Sequence, residues 1–418
     1  MKTVNCINIL LLFSFVSINK SFAQQFKTIN NRVVVSGCLD LQGKTKILPN
    51  GYTLDIRNGQ IKNGTLVGNQ TKLLCSDKVF DHIHFKGTWN VPNISTSLFV
   101  DLSYENALKD VVSLANPNVR NTIIIENGIY QVAARKNADV CLPISDNTTL
   151  LLNGKVKLKP NAYLRCDIIR AKGNNIRICG SGTIVGDKHT HLGTEGEWGM
   201  GIRFHGAKNS SVSDLTIKDC WGDCIYVGGN SKNVTIENCW LDHGRRQGIS
   251  VTKADSVTIR NCKISNVNGT NPQFAIDLEP NANDTVNHVL IENVEVVECE
   301  GGVLAVVGKR NAEKKKIGQV TVRNCKLSAI SRWPLRMKSC EHVSIEDCVI
   351  KATNRKAAIY SSDIYNLVVK GNTINIEKSV VFALKNTAKK IVGKNVQQPI
   401  ETIRVKQRDI RNNRIIEH

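Results

Sequence analysis

From residue 215 onward one short pattern recurs: apolar, polar, apolar, polar, Asn or Asp, then a small residue. It reads LTIKDC at Leu215–Cys220, VTIENC at Val234–Cys239, VTIRNC at Val257–Cys262 and VLIENV at Val289–Val294. It continues as VTVRNC at Val320–Cys325, VSIEDC at Val343–Cys348 and LVVKGN at Leu367–Asn372, where Gly371 takes the Asn position. Alternation with period two predicts strands with one buried face. The last residues of the seven segments are spaced 19, 23, 32, 31, 23 and 24 apart. Strands of one shape, separated by inserts of varying length, predict a coiled solenoid in which each turn buries its face against its neighbours: a parallel β-helix.

The Cys that closes five segments would then stack inside, as core-filling thiols or, alternatively, as disulfides or a metal site. No CxxC pair with metal-ligand spacing occurs. Beyond Cys6 the chain has thirteen Cys, an odd number, so at least one stays unpaired unless it bridges two chains. Asn238, Asn261, Asn293 and Asn324 are placed to form a ladder at the turn.

A second strand precedes each segment, and its apolar residues align as Ile202/Phe204, Ile225/Val227, Ile249/Val251, Ile276/Leu278, Leu304/Val306, Leu335/Met337 and Ile359. The residues between them form an outward column of Arg203, Tyr226, Ser250, Asp277, Ala305, Arg336 and Tyr360. A second column holds His205, Gly228, Thr252, Glu279, Val307, Lys338 and Ser362. Earlier, residues 103–115 place Ala107, Leu108, Val111, Val112 and Ala115 on one helical face, which predicts a short helix capping the solenoid. The expected organisation is a leader over 1–23, a β-rich region or leading coils over 24–100, and the β-helix over 101–418.

Composition narrows the functions. With 41% hydrophobic and 22% charged residues the chain is not disordered. Lys2, the apolar run Ile7–Val16, and the small residues Ser21 and Ala23 have the form of a secretory signal cleaved after Ala23. No later stretch is long enough to span a membrane. The expected location is periplasmic, cell-surface or secreted. The net charge is +20, and removing Lys2 and Lys20 leaves 20 − 2 = +18. In an exported protein that charge points to an anionic polysaccharide or surface. Neither a nucleic-acid module nor a basic helix is present, so no nucleic-acid partner is expected.

The coil repeat, the helix and the strings Gly180–Ile184 (GSGTI), Arg245–Ser250 (RRQGIS) and Ile276–Asn281 (IDLEPN) resemble the right-handed parallel β-helix proteins of the pectate lyase-like superfamily. That group includes polygalacturonases, polysaccharide lyases, uronan epimerases and phage tailspike depolymerases. The resemblance covers roughly residues 100–390. It implies an all-β chain: a single-stranded right-handed parallel β-helix with a short N-terminal capping helix. Gly222-Asp223-Cys224-Ile225 looks like the paired-Asp motif of polygalacturonases with one Asp missing, and His243-Gly244 like half of their Gly-His-Gly. Arg336-Met337-Lys338 resembles their Arg-Ile-Lys but lies about four coils beyond His243. Their Asn-x-Asp signature is absent from the coil just upstream of Asp223, so polygalacturonase activity is not carried over.

The outward columns nominate the chemistry. Asp277 and Glu279 stand two residues apart on one strand face, about 7 Å, within the range at which an acid and a base flank a water in an inverting glycosidase. Asp223 is a third candidate acid. The expected substrate contacts are Arg245 and Arg246, suited to bidentate binding of carboxylate or sulfate, with Gln247, His243, His205, Tyr226, Arg336 and Lys338. Trp221 and Trp198 either stack on sugar or cover loop bases. The leading expectation is hydrolysis of an acidic polysaccharide without a metal or cofactor. The alternatives are β-elimination by a lyase, with Ca²⁺ held by Asp223, Asp277 and Glu279, and a non-catalytic carbohydrate-binding solenoid.

Overall fold

Each turn of the solenoid is closed by a residue that only a few side chains tolerate. Asp214, Asn238, Asn261, Asn293, Asn324, Asp347, Gly371 and Asn412 all adopt φ between 51° and 68°, the left-handed region where Asn, Asp and Gly are least penalised. The backbone N–H of Asn238 donates to the carbonyl of Arg260 on the next coil, Asn261 to Glu292, Asn293 to Arg323, and Asn324 to Glu346. Side chains extend the ladder: Asn238 donates to Asp214 at 3.0 Å, and Asn293 to Asn261 at 2.8 Å. Asn293→Val is therefore expected to lose about 1–2 kcal/mol, whereas Asn293→Gly keeps the corner and loses only the ladder bond. Urea denaturation of the two variants checks the ordering.

The computed structural model describes residues 26–105, 107–136, 139–307, 317–329, 333–352, 357–376 and 400–417. The expected leader and the basic run Lys314, Lys315 and Lys316 lie outside them. Among the described residues no helix is long and apolar enough to cross a membrane.

The chain forms two compact units, dividing after Glu126. In the first, Phe26–Ile29 pairs antiparallel with Arg32–Asp40, which then pairs in parallel with Thr53–Cys75, itself parallel to Phe80–Asn90. Phe80, Phe85, Trp89 and Phe99 interlock in its core, with ring centroids 4.8 to 6.0 Å apart. The helix runs over Ala107–Val112, shorter than its apolar pattern, and buries Ala107, Leu108, Val111 and Val112 against the strands Phe80–Asn90 and Asn93–Ser95.

In the second unit three strands per coil stack in parallel on three faces. The first face carries Val140–Ile144, Asp167–Ala171, Ile202–His205, Asp223–Gly228, Gln247–Val251, Phe274–Leu278, Gly302–Val307 and the leading parts of Leu335–Glu346 and Ile359–Lys370. Its inward residues are those the alternation names: Ile202, Phe204, Ile225, Val227, Ile249, Val251, Ile276, Leu278, Leu304, Val306, Leu335, Met337 and Ile359 are all buried. The second face, built from Ser231–Glu237, Ala254–Arg260, Val286–Glu292, Ile317–Arg323 and the later parts of Leu335–Glu346 and Ile359–Lys370, alternates charge between coils, with Arg260 paired to Glu237, Arg323 to Glu292 and Lys370 to Glu346. Like charges one strand spacing apart would repel.

One assignment changes. LTIKDC at Leu215–Cys220 belongs to the third face, where Thr216 pairs with Trp240, and not with the other six segments. Their partner in that coil is Ser211–Ser213, which pairs with Thr235–Glu237, and Leu215 stands where later coils place Cys. Alternation looks the same on both faces, so only pairing separates them. The Cys of the repeat are buried and free, as core filler.

Candidate active site

The first face sets Arg170, Arg203, Tyr226, Ser250, Asp277, Ala305, Arg336 and Tyr360 opposite one another on successive rungs. From Arg203 onward this is the column read from the alternation. Neighbouring rungs lie about 4.8 Å apart, so side chains here meet even though they are distant in sequence.

Three acids converge on one guanidinium. Asp223 is fully buried, accepts a hydrogen bond from Ser250 Oγ at 2.7 Å and lies 3.4 Å from Arg246 Nη1. Glu279 is 3.6 Å from Arg246 Nη2 and half exposed, and Glu197 is 3.4 Å from Arg246 Nε. Asp277 Oδ2 accepts from Gln247 Nε2 at 2.6 Å, while Gln247 Oε1 accepts from the Phe274 N–H at 3.0 Å. Because both nitrogens belong to one planar fork, the Asp223 and Glu279 carboxyls lie no more than about 9 Å apart.

Alternation places Asp277 and Glu279 on an exposed strand face, but Asp277 is only 3% exposed. The pattern determines which side of a strand a residue takes, not what covers that side. Here Gln247 and Ser250 from the preceding rung are buried beside it, and Arg246 is mostly buried with them. Burial pushes the Asp277 carboxyl up to about 8, with the negative charges of Glu279 and Asp223 adding to it and Arg246 and Gln247 opposing. Burial also raises Asp223, against Arg246 and Ser250.

A second acid group went unread in the sequence. Asp167 is buried, 3.2 Å from Arg203 and bonded by Arg170 Nε at 2.5 Å, while Arg170 also reaches Asp139 at 2.9 Å. Burial raises Asp167 to about 6 against the pull of both arginines. The alternation in Asp167–Ala171 (DIIRA) carries the signal, had it been aligned with Ile202–His205.

The other expected contacts fall in different places. Trp221 is buried between His191, stacked at 3.9 Å, and Arg245, whose guanidinium lies 3.7 Å over the ring. Arg245 donates to the carbonyls of Gly196 at 2.8 Å and Trp221 at 3.3 Å. Both therefore tie down the loop near residue 195. Gln247 is fully buried and its side chain holds Asp277. His243 bonds Asp242 at 2.7 Å, with its ring 6.2 Å from that of His189. His205 is exposed opposite Gly228. Tyr226 shares a 2.7 Å hydrogen bond with Thr252 beneath the Arg203 guanidinium at 4.5 Å. Arg336 lies over the Trp333 ring at 5.3 Å, and Trp198 is 40% exposed under Arg165.

The acids do not fit a calcium cage as arranged. A guanidinium already stands between Asp223 and Glu279, Asp277 favours its neutral form, and among the described residues no group of three or more ligands could hold a metal ion. A groove of about 230 Å³ lies elsewhere, along the Asn261, Asn293 and Asn324 corner.

Residues 162–316 match the family described as "Right handed beta helix region". The chain is a right-handed parallel β-helix protein. This β-helix is 32% identical over 163 residues to the SPbeta prophage-derived uncharacterized protein YorA of Bacillus subtilis (strain 168), covering 33% of this chain and 28% of that protein. A second Bacillus subtilis protein, YclG, is 34% identical over 144 residues, 30% of this chain and 24% of its own length. The β-helix thus spans about a quarter of the curated relatives it matches. Among solved structures, the exopolygalacturonase of Thermotoga maritima superposes with a TM-score of 0.43 at 12% identity, over 79% of this chain and 93% of that one. That likeness is one of fold.

Proposed function

We propose that this β-helix is an exported carbohydrate-active enzyme that hydrolyses glycosidic bonds in a polysaccharide, with Asp277 as general acid and Glu279 as general base. The observation that carries the reading is a buried carboxyl held near a pKa of about 8 beside a solvent-facing one on the same strand face. An inverting glycosidase needs this inequality: one carboxylic acid that keeps its proton at neutral pH for the leaving oxygen, and one carboxylate that activates water. Gln247 occupies Asp277 Oδ2 as a donor, which leaves Oδ1 to carry the transferable proton. Asp223, the fully buried acid of the group, keeps Arg246 in place and so tunes the pair. Arg246 must release Glu279 and Glu197 as sugar enters, because its guanidinium lies against both carboxyls.

Purified protein offered uronic-acid, sulfated and neutral polysaccharides is expected to release reducing ends without a rise in near-ultraviolet absorbance, and to keep its activity in EDTA. Unsaturated products, or loss of turnover in EDTA, would establish a lyase instead. No product from any glycan, with binding retained, would establish a non-catalytic solenoid.

A further inference from the structure

The three faces of the coil treat charge differently. On the first, Arg170 and Arg203 contact Asp167, and Arg246 contacts Asp223, Glu197 and Glu279. On the second, Arg260, Arg323 and Lys370 each meet a glutamate one rung away. The third face is an 11-stranded parallel sheet running from Ile129–Val132 to Arg414–Glu417. Its register puts Lys155, Lys263 and Lys326 in one outward column with Ile129, Trp240 and Val349. Lys157, Lys218 and Lys351 stand in the column beside it. Lys155, Lys157, Lys263 and Lys326 are exposed and form no ion pair among the described residues, and Lys218 reaches Asp219 only at 3.8 Å. Against these lysines the two columns set Asp242 and Glu295, with Glu298 at the bulge that follows. Asp242 is buried and already bonded to Ser265, Asn266 and His243. Like charges gathered on one sheet face repel, so this face is left with positive charge that the chain itself does not neutralise.

The same column exposes three large apolar side chains, Ile129 at 71%, Trp240 at 47% and Val349 at 44%. Ile129 and Val349 stand four rungs to either side of Trp240, about 19 Å each way, with the lysines between them. Trp240 Nε1 donates to Ser265 Oγ at 3.1 Å on the next rung, which ties the indole to the sheet. Lysine beside exposed aliphatic and indole surface is the composition of a membrane interface. The lysine stems lie over apolar surface while their ammonium groups stay in water. The indole suits a boundary that is wet on one side and apolar on the other. Lysine is also a compact point charge that needs no fixed fork of acceptors, so it answers a sheet of anionic headgroups as well as any single anion. A soluble anionic sugar would engage Trp240 and one lysine, and would leave Ile129 and Val349, about 38 Å apart, without a role. An extended surface meets all of them at once.

We infer that the third face is a docking surface for an anionic lipid bilayer, along which the solenoid lies lengthwise on its lysine and Trp240 column. Docking of this kind needs no membrane-crossing helix, and it leaves the first face, with Asp277 and Glu279, uncovered. The charge of +20 on the whole chain favours the same partner.

Co-sedimentation of the full-length protein with vesicles tests it, using phosphatidylcholine alone and phosphatidylcholine mixed equally with phosphatidylglycerol. Binding to the mixed vesicles is expected to be at least about tenfold tighter than to phosphatidylcholine, and to weaken as salt is raised. The Lys155→Ala/Lys263→Ala/Lys326→Ala triple variant should weaken it at least about tenfold. Trp240→Ser should weaken it about threefold or more at every salt concentration, because the part it removes is apolar. If the triple variant does not fold, Lys263→Glu alone, at an exposed side chain, should still cost about threefold or more. The segment 1–23 is identical in wild type and variants, so its own affinity for lipid cancels in the comparison. Equal binding to the two vesicle types, no binding to either, or unchanged binding in the variants would overturn the docking surface. So would dextran sulfate that binds wild type and loses affinity in the triple variant while vesicles fail to bind, which would make the face a track for a soluble polyanion. The vesicle assay involves no turnover, so a failure of the hydrolase reading leaves this inference standing, and its own failure leaves the hydrolase untouched.

Discussion

Asp277→Asn is expected to lower kcat on the cleaved polysaccharide by about 10²–10⁴-fold, the usual contribution of a positioned general acid, while leaving oligosaccharide affinity close to wild type. The substitution is nearly isosteric, and an Asn side-chain oxygen can still accept the Gln247 Nε2 hydrogen bond that now holds Oδ2 at 2.6 Å. The group lost is therefore the proton. Glu279→Gln should give a loss of similar size, and external azide should restore part of the turnover of Glu279→Gln if Glu279 is the base. Full turnover in Asp277→Asn, measured on protein whose circular dichroism and melting match wild type, would end the assignment. Asp223→Asn acts differently. It takes a negative charge from beside Arg246 and Asp277, so it should move the pH profile more than the maximal rate.

The second large effect is on stability across pH. The folded Asp277 holds its proton to about pH 8, against an ordinary carboxyl value of 3.8. A raised carboxyl contributes stability that is complete below the unfolded value and is lost as pH rises through the folded one, because only the folded state binds the proton between them. Unfolding free energy should fall from about pH 5 to about pH 9 by on the order of several kcal/mol. Asp167, raised to about 6, works in the same direction. The depressed carboxyls of Asp139 and Asp214 titrate below this window. Asp277→Asn should flatten the upper part of the curve. Urea melts at the two pH values measure it, and a stability that rises with pH in wild type would contradict a neutral Asp277. Turnover should fall on the alkaline side, as the acid loses its proton above about pH 8.

How much of this was readable beforehand differs from residue to residue. Ile225 and Val227, or Ile276 and Leu278, are buried where period two places them, since alternation is a local property of a pleated strand. The corner residues Asn238, Asn261, Asn293 and Asn324 were readable too, because the left-handed turn selects them chemically. LTIKDC misled because two faces of one coil share its pattern, and Leu215 in the Cys position removed the remaining cue. Trp221 and Arg245 look like ligand groups as residue types, yet each finds its partner in the loop near residue 195.

The sequence by itself determined the solenoid, the inward columns and the rung order that brings Asp223, Ser250 and Asp277 to one face. Those follow from steric and hydrophobic preferences that act within a few residues and repeat from coil to coil. Only the tertiary structure decided that Asp277 is enclosed while Glu279 faces water, that Gln247 is a holder of the acid, and that Arg246 is shared among three carboxylates. Burial and charge are sums over neighbours from other rungs, set by contacts between residues twenty-seven to forty-nine positions apart, and no local pattern carries that sum.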